Sequence, residues 1–487
     1  MLEEALVRQE KVAHLIERGL HPYAIETSRS ASCGETVLAF DAWLKERKLV
    51  TLAGRLLTIR VHGGMIFADM MDESGKMQIA FKEDQIGEEL FQNFRDLMDP
   101  GDIVEAAGTL FLTKRGEKTM QVSSWKPLAK ALLPLPEKWH GLQDVELRSR
   151  ERELDLISHA EVRERFRVRS RLLASLRRFL DKQNFMEVET PMLQPIPGGA
   201  NARPFVTHHH ALDMDLYLRV APELYLKRLI VGGYERVFEI GRCFRNEGID
   251  YAHNPEFTQL ELYWAYVSKE PFVTFMENMV STMVMEATEK KMTSPWPRVT
   301  FRDAVLSACL IDIDSMRTEE DVREATRRQG LEIDFSHCVG MAEYMDELFK
   351  KTARPLLVEP TWVFDYPVEL KPLANKSPDD PTKSASVQLV ANGAEIINAF
   401  YFELNDPIEQ RQRLMKQQTL RDQGSNEAQS FDEDFLRSLE HGMPPTSGMG
   451  MGIDRLAALV TGVHSLKEVI LFPTLRPKSY AEPEIHP

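Results

Sequence analysis

The spacing of apolar residues changes in character along the N-terminal part of the chain. Residues 1 to about 25 form an amphipathic pattern that predicts a helix ending at Gly19, and residues 35–48 favour a second helix. From about residue 51, short alternating runs are separated by the turns HGG, ESGK and KRGEK. These five runs (VTLAGRLLTIR, MIFADMMD, KMQIAF, DIVEAAGTLFLT and KTMQVSSWKPL) predict a small β-barrel of the oligonucleotide-binding (OB) type.

A proline-punctuated link, LLPLPEKWHG at 132–141, separates this barrel from a region of mixed pattern. A basic amphipathic helix follows at 161–183, with Phe166, Leu173, Leu176 and Leu180 on one face and Arg163, Arg167, Arg171 and Arg178 on the rest. A solvated face on a packing helix is favoured over RNA contact for these arginines. Strand patterns at 185–260, 356–370 and 386–403 flank a helix-rich stretch at 270–350, without regular βαβ alternation. This order predicts an α+β fold with an antiparallel sheet.

Composition narrows the class of protein. With 487 residues and 43% hydrophobic content, the chain is long enough for two domains. It has no apolar run of about 18 residues and its first segment is charged, so we expect no membrane span, no signal peptide and a cytoplasmic location. Its four cysteines form no CxxC pair, which argues against a disulfide framework or a thiolate zinc site. The net charge of −15 argues against a general nucleic-acid coat, and the first 140 residues carry only −3 of it.

The densest group of chemically active residues lies at 237–266, VFEIGRCFRNEGIDYAHNPEFTQLELYWAY. Its alternation predicts a β-hairpin with Arg245 and Glu247 before the turn and His253 and Phe257 after it. A guanidinium suits a phosphate and an aromatic face suits a purine, so the hairpin predicts a nucleotide pocket. A surface ion pair on an ordinary strand is the alternative.

A second group, PPTSGMGMGIDRLAAL at 444–459, combines spaced glycines with the start of a helix. Gly448, Gly450 and Gly452 let a strand pass close to a ligand, and helix N-terminal amides favour anions. The pattern is neither a dinucleotide fingerprint nor a P-loop.

With these groups the chain resembles the class II aminoacyl-tRNA synthetases, and among them the lysyl-tRNA synthetases. The segment FMEVETPML at 185–193 resembles the first family motif, the two groups above resemble the second and third, and 196–229 is similar to the lysyl enzymes almost throughout. The resemblance implies an antiparallel class II catalytic sheet and an N-terminal anticodon-binding OB-fold. We therefore expect a helical extension at 1–50, the barrel at 51–140 and the catalytic domain at 145–487, with a helical insertion at about 270–350.

The resemblance also implies roles for individual residues. It implies a homodimer with Pro191 at the interface, Mg²⁺ as cofactor, and ATP, L-lysine and tRNA(Lys) as partners. Lysine would be held by Gly199, Glu223, Glu261, Tyr263, Asn398 and Glu403. ATP would be held by Arg245, Glu247, His253, Asn254, Phe257 and Arg455, of which Arg245 and Arg455 would be catalytic. Glu395 and Gln388 would be metal ligands, and Arg60, Phe67 and Gln78 would read the anticodon. A long cationic side chain needs a carboxylate at its far end, and a carboxylate nucleophile needs no general base.

The hairpin at 386–406 departs from the family pattern at two points. If Asn392 and Gly393 form its turn, residue 388 lies on the face of Glu395, where the family usually has a second metal-binding glutamate; this chain has Gln388. The interval from Asn398 to Glu403 is also one residue longer than usual, which leaves Phe402 at the expected carboxylate position. Glu403 can enter the pocket only if a β-bulge among residues 399–402 absorbs the extra residue.

The barrel and the three adjacent histidines allow more than one interpretation. Phe67 shares a face with Asp69 and opposes Ile66, Ala68 and Met70, so we expect it outside the core and free to stack on a base; a core position is the alternative. A family glutamate of the anticodon readout falls at Ser124 here. His208, His209 and His210 alternate faces on a strand, which favours a structural role over a metal site.

Three alternative functions share part of this sequence pattern. The aspartyl and asparaginyl synthetases share the architecture, but three glutamates suit a cationic amino acid better. A lysine-to-protein ligase would lack the barrel. From a different class, the chain could be a catalytically altered paralog that acts as an RNA-binding or regulatory module, a reading supported only by Gln388 and the region around Glu403.

Overall fold

The computed structural model describes residues 2–136, 144–200, 202–423 and 428–477. The chain divides into two compact units, Met1–Gln143 and Asp144–Pro487. Residues 137–143 of the predicted link at 132–141 and its continuation lie outside the described residues.

The first unit is a closed barrel with helices packed on it. Its elements are α1 (Leu2–Glu17), α2 (Cys33–Leu38), α3 (Phe40–Glu46), β1 (Val50–His62), β2 (Met65–Met71), β3 (Lys76–Lys82), α4 (Glu83–Ile86), α5 (Glu88–Leu97), β4 (Ile103–Leu112) and β5 (Lys118–Ala129). The strands close in the order β1-β2-β3-β5-β4, which confirms the predicted five-stranded barrel. Cys33 and Phe40 belong to the barrel core, so α2 and α3 are part of one packed body with it. Helices α4 and α5 were not predicted; Ile86 of α4 and Phe91 and Phe94 of α5 belong to the same core.

Alternation along β2 decides which side chains enter the barrel. Ile66, Ala68 and Met70 are fully buried in the core, whereas Phe67 and Asp69 point to the other face and are half-buried. Phe67 is therefore outside the core, as its neighbours predicted.

The second unit is built on an eight-stranded sheet. Its elements are α6 (Val145–Arg150), α7 (Arg152–Ser158), α8 (Ala160–Lys182), β6 (Met186–Glu187), β7 (Leu193–Gln194), β8 (Val206–His209), β9 (Met214–Leu218), α9 (Glu223–Val231), β10 (Arg236–Phe244), β11 (Glu256–Ala265), α10 (Lys269–Thr288), β12 (Arg298–Thr300), α11 (Phe301–Cys309), α12 (Glu319–Arg328), α13 (Met341–Lys351), β13 (Thr361–Phe364), β14 (Ser386–Ala391), β15 (Ala394–Phe400), α14 (Pro407–Asp422), α15 (Glu433–Leu439), β16 (Thr446–Gly452) and α16 (Ile453–Thr461), with short 3-10 turns that include Arg354–Leu356 and Val368–Leu370. The strand order is β12-β13-β14-β15-β16-β11-β10-β6. Its central pairs are antiparallel, which confirms the α+β prediction.

Helices α8, α10 and α16 pack on one face of this sheet and form its main core. In α8, Leu172, Leu176 and Leu180 are fully buried, whereas Phe166 and Leu173 lie at the edge of the buried face. The arginines of α8 form contacts inside the unit. Arg169 pairs with Asp454 at 2.7 Å, Arg171 donates to the Ala287 carbonyl and Arg178 pairs with Glu286. These contacts support the packing interpretation of the basic helix.

The helix-rich stretch divides between two cores. Helix α10 belongs to the main core, because Phe272, Met276 and Val280 pack there. The residues from Phe301 to Ala353 instead build a separate cluster, which joins the sheet through β13 and β14.

No helix within the described ranges is long and apolar enough to span a membrane.

Candidate active site

A cavity of about 340 Å³ lies in the second unit, over strands β11, β15 and β16. The register places Glu261 opposite Gly450, Tyr263 opposite Gly448, and Asn398 opposite Gly450 on the other side. The cavity is lined by every residue predicted for the lysine, ATP and metal sites, namely Gly199, Glu223, Arg245, Glu247, His253, Asn254, Phe257, Glu261, Tyr263, Gln388, Glu395, Asn398, Glu403 and Arg455. The structure thus brings together residues that are up to 256 positions apart in the sequence.

Two glycines of β16 make room for the acidic end of the cavity. A Cβ at Gly448 would collide with the Glu403 carboxylate and the Tyr263 ring. A Cβ at Gly450 would lie 2.8 Å from Glu261 Oε1 and 2.7 Å from Gln259 Nε2. These glycines therefore let polar side chains of the neighbouring elements lie directly against the strand.

Three carboxylates and one ammonium meet at this end. The Nζ atom of Lys227 lies 2.6 Å from Glu223 Oε1 and 2.6 Å from Glu403 Oε2. Tyr263 donates its hydroxyl to Glu261 Oε2 at 3.3 Å. Glu223 and Lys227 are one turn apart on α9, so the helix itself brings them together. Lys227 was not predicted as a site residue, because its position in the apolar helix ELYLKRLIV gives no sign that its ammonium is fully buried.

Burial and mutual repulsion change the acidity of this group. Burial, together with repulsion from Glu223, raises the pKa of Glu403 to about 8, although Lys227 opposes the change. Burial also raises the pKa of Glu261 well above its ordinary value, with repulsion from Glu223 and Glu403 adding to it. For Lys227, burial alone would lower the pKa, but Glu223 and Glu403 outweigh it and raise that pKa. This end therefore holds three carboxyl groups and one ammonium, and its charge balance favours the binding of a further cation.

The extra residue before Glu403 is absorbed where β15 ends. Ser386 still pairs with Phe400, but the amides of both Tyr401 and Phe402 then point to the carbonyl of Ala385, at 2.9 and 3.4 Å. In a β-bulge, two residues of one strand lie opposite one residue of the other, and Tyr401 and Phe402 have this arrangement within the predicted range 399–402. Glu403 then donates its amide to the Thr446 carbonyl, and its side chain is 2% exposed at the acidic end.

The opposite end of the cavity is cationic and aromatic. The Arg245 guanidinium lies 5.0 Å from the centre of the Phe257 ring. Arg455, in the first turn of α16, donates to the Glu395 carbonyl at 3.0 Å, and its Nη1 lies 3.8 Å from Glu395 Oε1. Its neighbour Asp454 accepts from the Thr258 amide at 2.9 Å and so fixes the start of α16 against β11. These contacts aim two guanidinium groups at one region.

The loop between β10 and β11 holds the remaining nucleotide candidates. His253 lies 3.0 Å from Asp250 and is largely exposed. Asn254 is buried and donates to the Glu256 carbonyl at 2.6 Å. Glu247 lines the cavity from the same loop.

A second polar corner surrounds Gln388. Tyr366 donates its hydroxyl to Gln388 Oε1 at 2.6 Å, and Gln388 Nε2 donates to Asn398 Oδ1 at 3.2 Å. Lys371 donates to the same Asn398 oxygen at 2.9 Å. Burial lowers the pKa of Lys371, and the nearby Glu395 carboxylate opposes this. Lys371, too, was absent from the sequence-based site.

The residues present fit one Mg²⁺ ion better than two. Within the part of the chain that the structure describes, no three histidine, cysteine, aspartate or glutamate side chains are grouped to hold a metal. Glu395 nevertheless offers a partly exposed carboxylate inside the cavity. Because Mg²⁺ commonly binds one or two carboxylates together with substrate phosphates, Glu395 fits such an ion. Gln388 is neutral, and its oxygen already accepts from Tyr366.

The register of the hairpin explains why Gln388 meets Asn398. Asn392 and Gly393 both have positive φ, at 48° and 70°, as the predicted two-residue turn requires. Val390 pairs with Glu395 as predicted, but the register then shifts, so that Gln388 faces Asn398 directly. The sequence analysis missed this second irregularity, which leaves Ile396 without a partner of its own in β14.

The other predicted residues lie away from the cavity. Pro191 is exposed. His208, His209 and His210 are also exposed, and His208 lies 3.0 Å from Asp215.

On the barrel, three predicted residues share the outer surface of β1, β2 and β3. Arg60 pairs with Asp69 at 3.2 Å, and Gln78 Oε1 accepts from the Thr119 hydroxyl at 2.8 Å. Phe67 stands opposite Arg60 in the register. Ser124 is exposed on β5.

Comparison with known proteins gives matches over nearly the whole chain. The family described as tRNA synthetases class II (D, K and N) matches residues 144–476, and the OB-fold nucleic acid binding domain matches residues 50–128. The chain is 46% identical over 483 residues to a lysine–tRNA ligase of Syntrophomonas wolfei, with 97% of both chains covered. It is also 46% identical to lysine–tRNA ligases of Roseiflexus castenholzii, with 97% of this chain and 98% of that one covered, and of Moorella thermoacetica, with 97% of both covered.

Proposed function

The chain belongs to the class II tRNA synthetases and, within them, to the lysine–tRNA ligase family, and on this premise we propose that it activates L-lysine with ATP and transfers it to tRNA(Lys). The observation that carries the amino-acid specificity is the buried acidic end of the cavity, where Glu223 and Glu403 pair with a single lysine ammonium and Glu261 adds a third carboxyl group close to them. Because three carboxyl groups face one protein cation, the site favours a ligand that carries two ammonium groups. An acidic or amide side chain would leave those carboxylates unbalanced.

The cavity offers separate partners for each part of the amino acid. In our assignment, Glu223 and the backbone at Gly199 hold the α-ammonium, whereas Glu403 and Tyr263 hold the ε-ammonium. Gly199 has φ of +86°, and a Cβ there would lie 2.9 Å from the Glu223 Cβ, so only glycine fits beside that carboxylate. The lysine carboxylate then points away from the acidic end, towards Arg245.

The first step joins this carboxylate to ATP. A carboxylate oxygen attacks the α-phosphorus, the bond to pyrophosphate breaks, and lysyl-adenylate forms. Arg245 lies between the carboxylate and the α-phosphate, Phe257 offers its ring to the adenine, and Arg455 neutralises the phosphates; His253, Asn254 and Glu247 complete the ATP site. Glu395 would hold Mg²⁺, which supplies further neutralisation of the phosphates when bound. The protein's contribution is positioning and charge stabilisation.

The second step uses the barrel to select the tRNA. A hydroxyl of the 3′-terminal ribose attacks the lysyl carbonyl and AMP leaves. We propose that Arg60, Phe67 and Gln78 contact anticodon bases, since they share the outer surface of three adjacent strands. The serine at position 124 gives that surface one readout group fewer than the family pattern.

We further propose a cytoplasmic homodimer with Pro191 at its interface. Pro191 is exposed beside Met192 and Leu193, which are 43% and 44% exposed, so an apolar surface is available there. Sedimentation of the purified protein would test the dimer.

The decisive experiment is ATP–pyrophosphate exchange with each amino acid in turn. We expect exchange that depends on lysine, followed by charging of tRNA(Lys). Arg245→Ala should reduce the exchange by at least about three orders of magnitude, because one residue serves both reacting groups, while the circular dichroism and sedimentation of the variant stay unchanged. No lysine-dependent exchange by the intact protein would favour the altered paralog, and near-normal exchange by a folded Arg245→Ala variant would remove Arg245 from its assigned role.

A further inference from the structure

Lys371 is a cation inside the cavity that the assignment of substrates leaves without a role. It follows the 3-10 turn Val368–Leu370 and lines the cavity together with Gln388 and Glu395. Its ammonium donates to Asn398 Oδ1 at 2.9 Å and lies 4.9 Å from the centre of the Tyr366 ring. The hydrogen bond and the ring hold this ammonium at one place, beside the carboxylate that fits Mg²⁺.

The neighbours of Lys371 are poorly suited to a second divalent ion. Gln388 stands where a second metal-binding glutamate is expected, and both ends of its amide are already used by Tyr366 and Asn398. With the amide neutral and Lys371 charged, the corner carries more positive charge than one with a glutamate and no lysine. A second Mg²⁺ would meet a fixed ammonium, the Glu395 carboxylate that must also serve the first ion, and the Asp346 carboxylate, which already lies 2.6 Å from the Lys350 ammonium.

We propose that the Lys371 ammonium takes the place of one divalent cation in this enzyme and neutralises the ATP phosphates beside a single ion at Glu395. The inference rests on the proposed function, because it takes ATP as the ligand of this cavity. An ammonium is a compact point charge that commonly binds phosphate oxygens in proteins. It needs no recruitment from solution, so the requirement of the enzyme for free Mg²⁺ should be correspondingly small.

Lys371 has a second effect, through Asn398. Lysine can only donate, so the atom that faces Lys371 must be the amide oxygen of Asn398. Gln388 donates to the same oxygen. The NH₂ group of Asn398, a residue that lines the cavity, is therefore turned away from both, and we expect it to donate to the carboxylate of the amino acid.

Counting bound metal ions tests this proposal directly. We would titrate Mn²⁺ into the enzyme with lysine and a non-hydrolysable ATP analogue and measure free Mn²⁺ by electron paramagnetic resonance. The wild type should bind about one ion per active site, whereas Lys371→Ser combined with Gln388→Glu should bind about two. Two ions in the wild type would overturn the proposal.

Affinity for the analogue gives a second readout. Lys371→Met should weaken binding of the analogue at low Mg²⁺ by about 10- to 100-fold, the loss expected for one charged hydrogen bond, and Lys371→Arg should restore part of it. Lys376→Met, at an exposed lysine outside the cavity that pairs with Glu409, is the matched control. Unchanged affinity and Mg²⁺ dependence in a Lys371→Met variant with normal thermal unfolding would refute the role. Binding of the analogue is measured without turnover, so an unchanged affinity in Lys371→Met would refute only the role of Lys371. Absence of lysine-dependent exchange in the wild type would instead remove the proposed function.

Discussion

Under the proposed function, Glu403 is the residue on which we expect recognition of the amino-acid side chain to depend most. It is buried, lies 2.6 Å from Lys227 and packs against the bare backbone of Gly448. Its neighbour Phe402 packs at the edge of the main core and has no polar group to offer an ammonium.

We therefore expect Glu403→Gln to raise the lysine concentration needed for pyrophosphate exchange by about two orders of magnitude, since removing one member of a buried ion pair costs about 3 kcal/mol. ATP binding should stay nearly normal, because the guanidinium groups lie at the other end of the cavity. Phe402→Leu is the matched control and should be mild. Steady-state kinetics with lysine and ATP varied separately would measure both, and the reverse ranking of the two variants would contradict the assignment.

The acidity of Glu403 leads to a pH dependence of lysine binding. Its pKa is raised to about 8 in the absence of substrate, so the carboxyl group takes up a proton at a higher pH than an ordinary glutamate does. Burial and the charge of Glu223 oppose the ionised form, whereas Lys227 favours it. A bound ε-ammonium would also favour the ionised form, so binding must release a proton and the affinity should rise with pH between about 6 and 8. Calorimetry in buffers of different ionisation enthalpy measures this release, and equal apparent enthalpies in all buffers would contradict it.

At the residue scale the sequence predicted the carboxylates and guanidinium groups of the site but not the two lysines. The hairpin pattern indicated Arg245 for a phosphate, whereas the carboxylates were assigned by the resemblance to the lysyl-tRNA synthetases. Lys227 and Lys371 had neither indication, because a lysine in a sequence is by default a solvated residue. Only the fold shows that Lys371 lines the cavity and that the buried Lys227 ammonium lies against two carboxylates of its acidic end.

At the scale of single elements, strand β16 contributes to the site because two of its residues, Gly448 and Gly450, have no side chain. Glu403 and Tyr263 occupy the space beside Gly448 that a side chain would fill, and Glu261 does the same at Gly450.

Gly448→Ala should therefore impair lysine binding by about 10- to 100-fold, since the added methyl group must displace a buried carboxylate or an aromatic ring, a cost of about 1 to 3 kcal/mol. Gly452→Ala on the same strand is the control, because its Cβ would meet only ordinary contacts with Arg455, at 3.5 Å. Lysine titration monitored by thermal shift would compare the two. A Gly448→Ala variant with normal lysine affinity would show that this close packing is dispensable.

The elements themselves were predictable where a period or a turn signal was strong. The barrel strands, the β10 and β11 hairpin and the Asn392–Gly393 turn follow from alternation and turn chemistry. The bulge before Glu403 could be inferred because an ammonium needs a carboxylate. The irregularity at Ile396 could not, because both faces of that strand are apolar enough to hide a shift of register. Helix α4 has only four residues and carries no periodic signal, whereas α5 could have been predicted, since Phe91, Phe94 and Leu97 repeat at helical spacing.

At the scale of the whole molecule, the proposed function assigns the anticodon to the barrel unit and the amino acid to the unit that holds the cavity. Phe67 lies on the outer surface of the barrel and is not one of the residues that line the cavity.

Phe67→Ala should therefore weaken charging of tRNA(Lys) while lysine-dependent pyrophosphate exchange in the absence of tRNA stays normal. Loss of one stacked base costs about 1 to 3 kcal/mol, which corresponds to a loss of about 5- to 150-fold in kcat/KM for tRNA. Ile66→Ala, one position away in the barrel core, should instead lower the unfolding temperature. Equal losses in charging and exchange for Phe67→Ala would argue against a role confined to the anticodon.

The side chains at the acidic end come from α9, β11 and the segment after β15, and they press on one another and on the backbone of β16. When substitutions share contacts in this way, their effects do not add, and couplings of about 0.5 to 3 kcal/mol are usual. A change of preferred amino acid would therefore require several of these positions to change together. A variant with only one of these substitutions would bind neither the old substrate nor the new one well. The interlocked pocket therefore acts as a barrier to evolutionary change of specificity. It also sets the smallest number of positions that a mutant library must vary together to redesign the pocket.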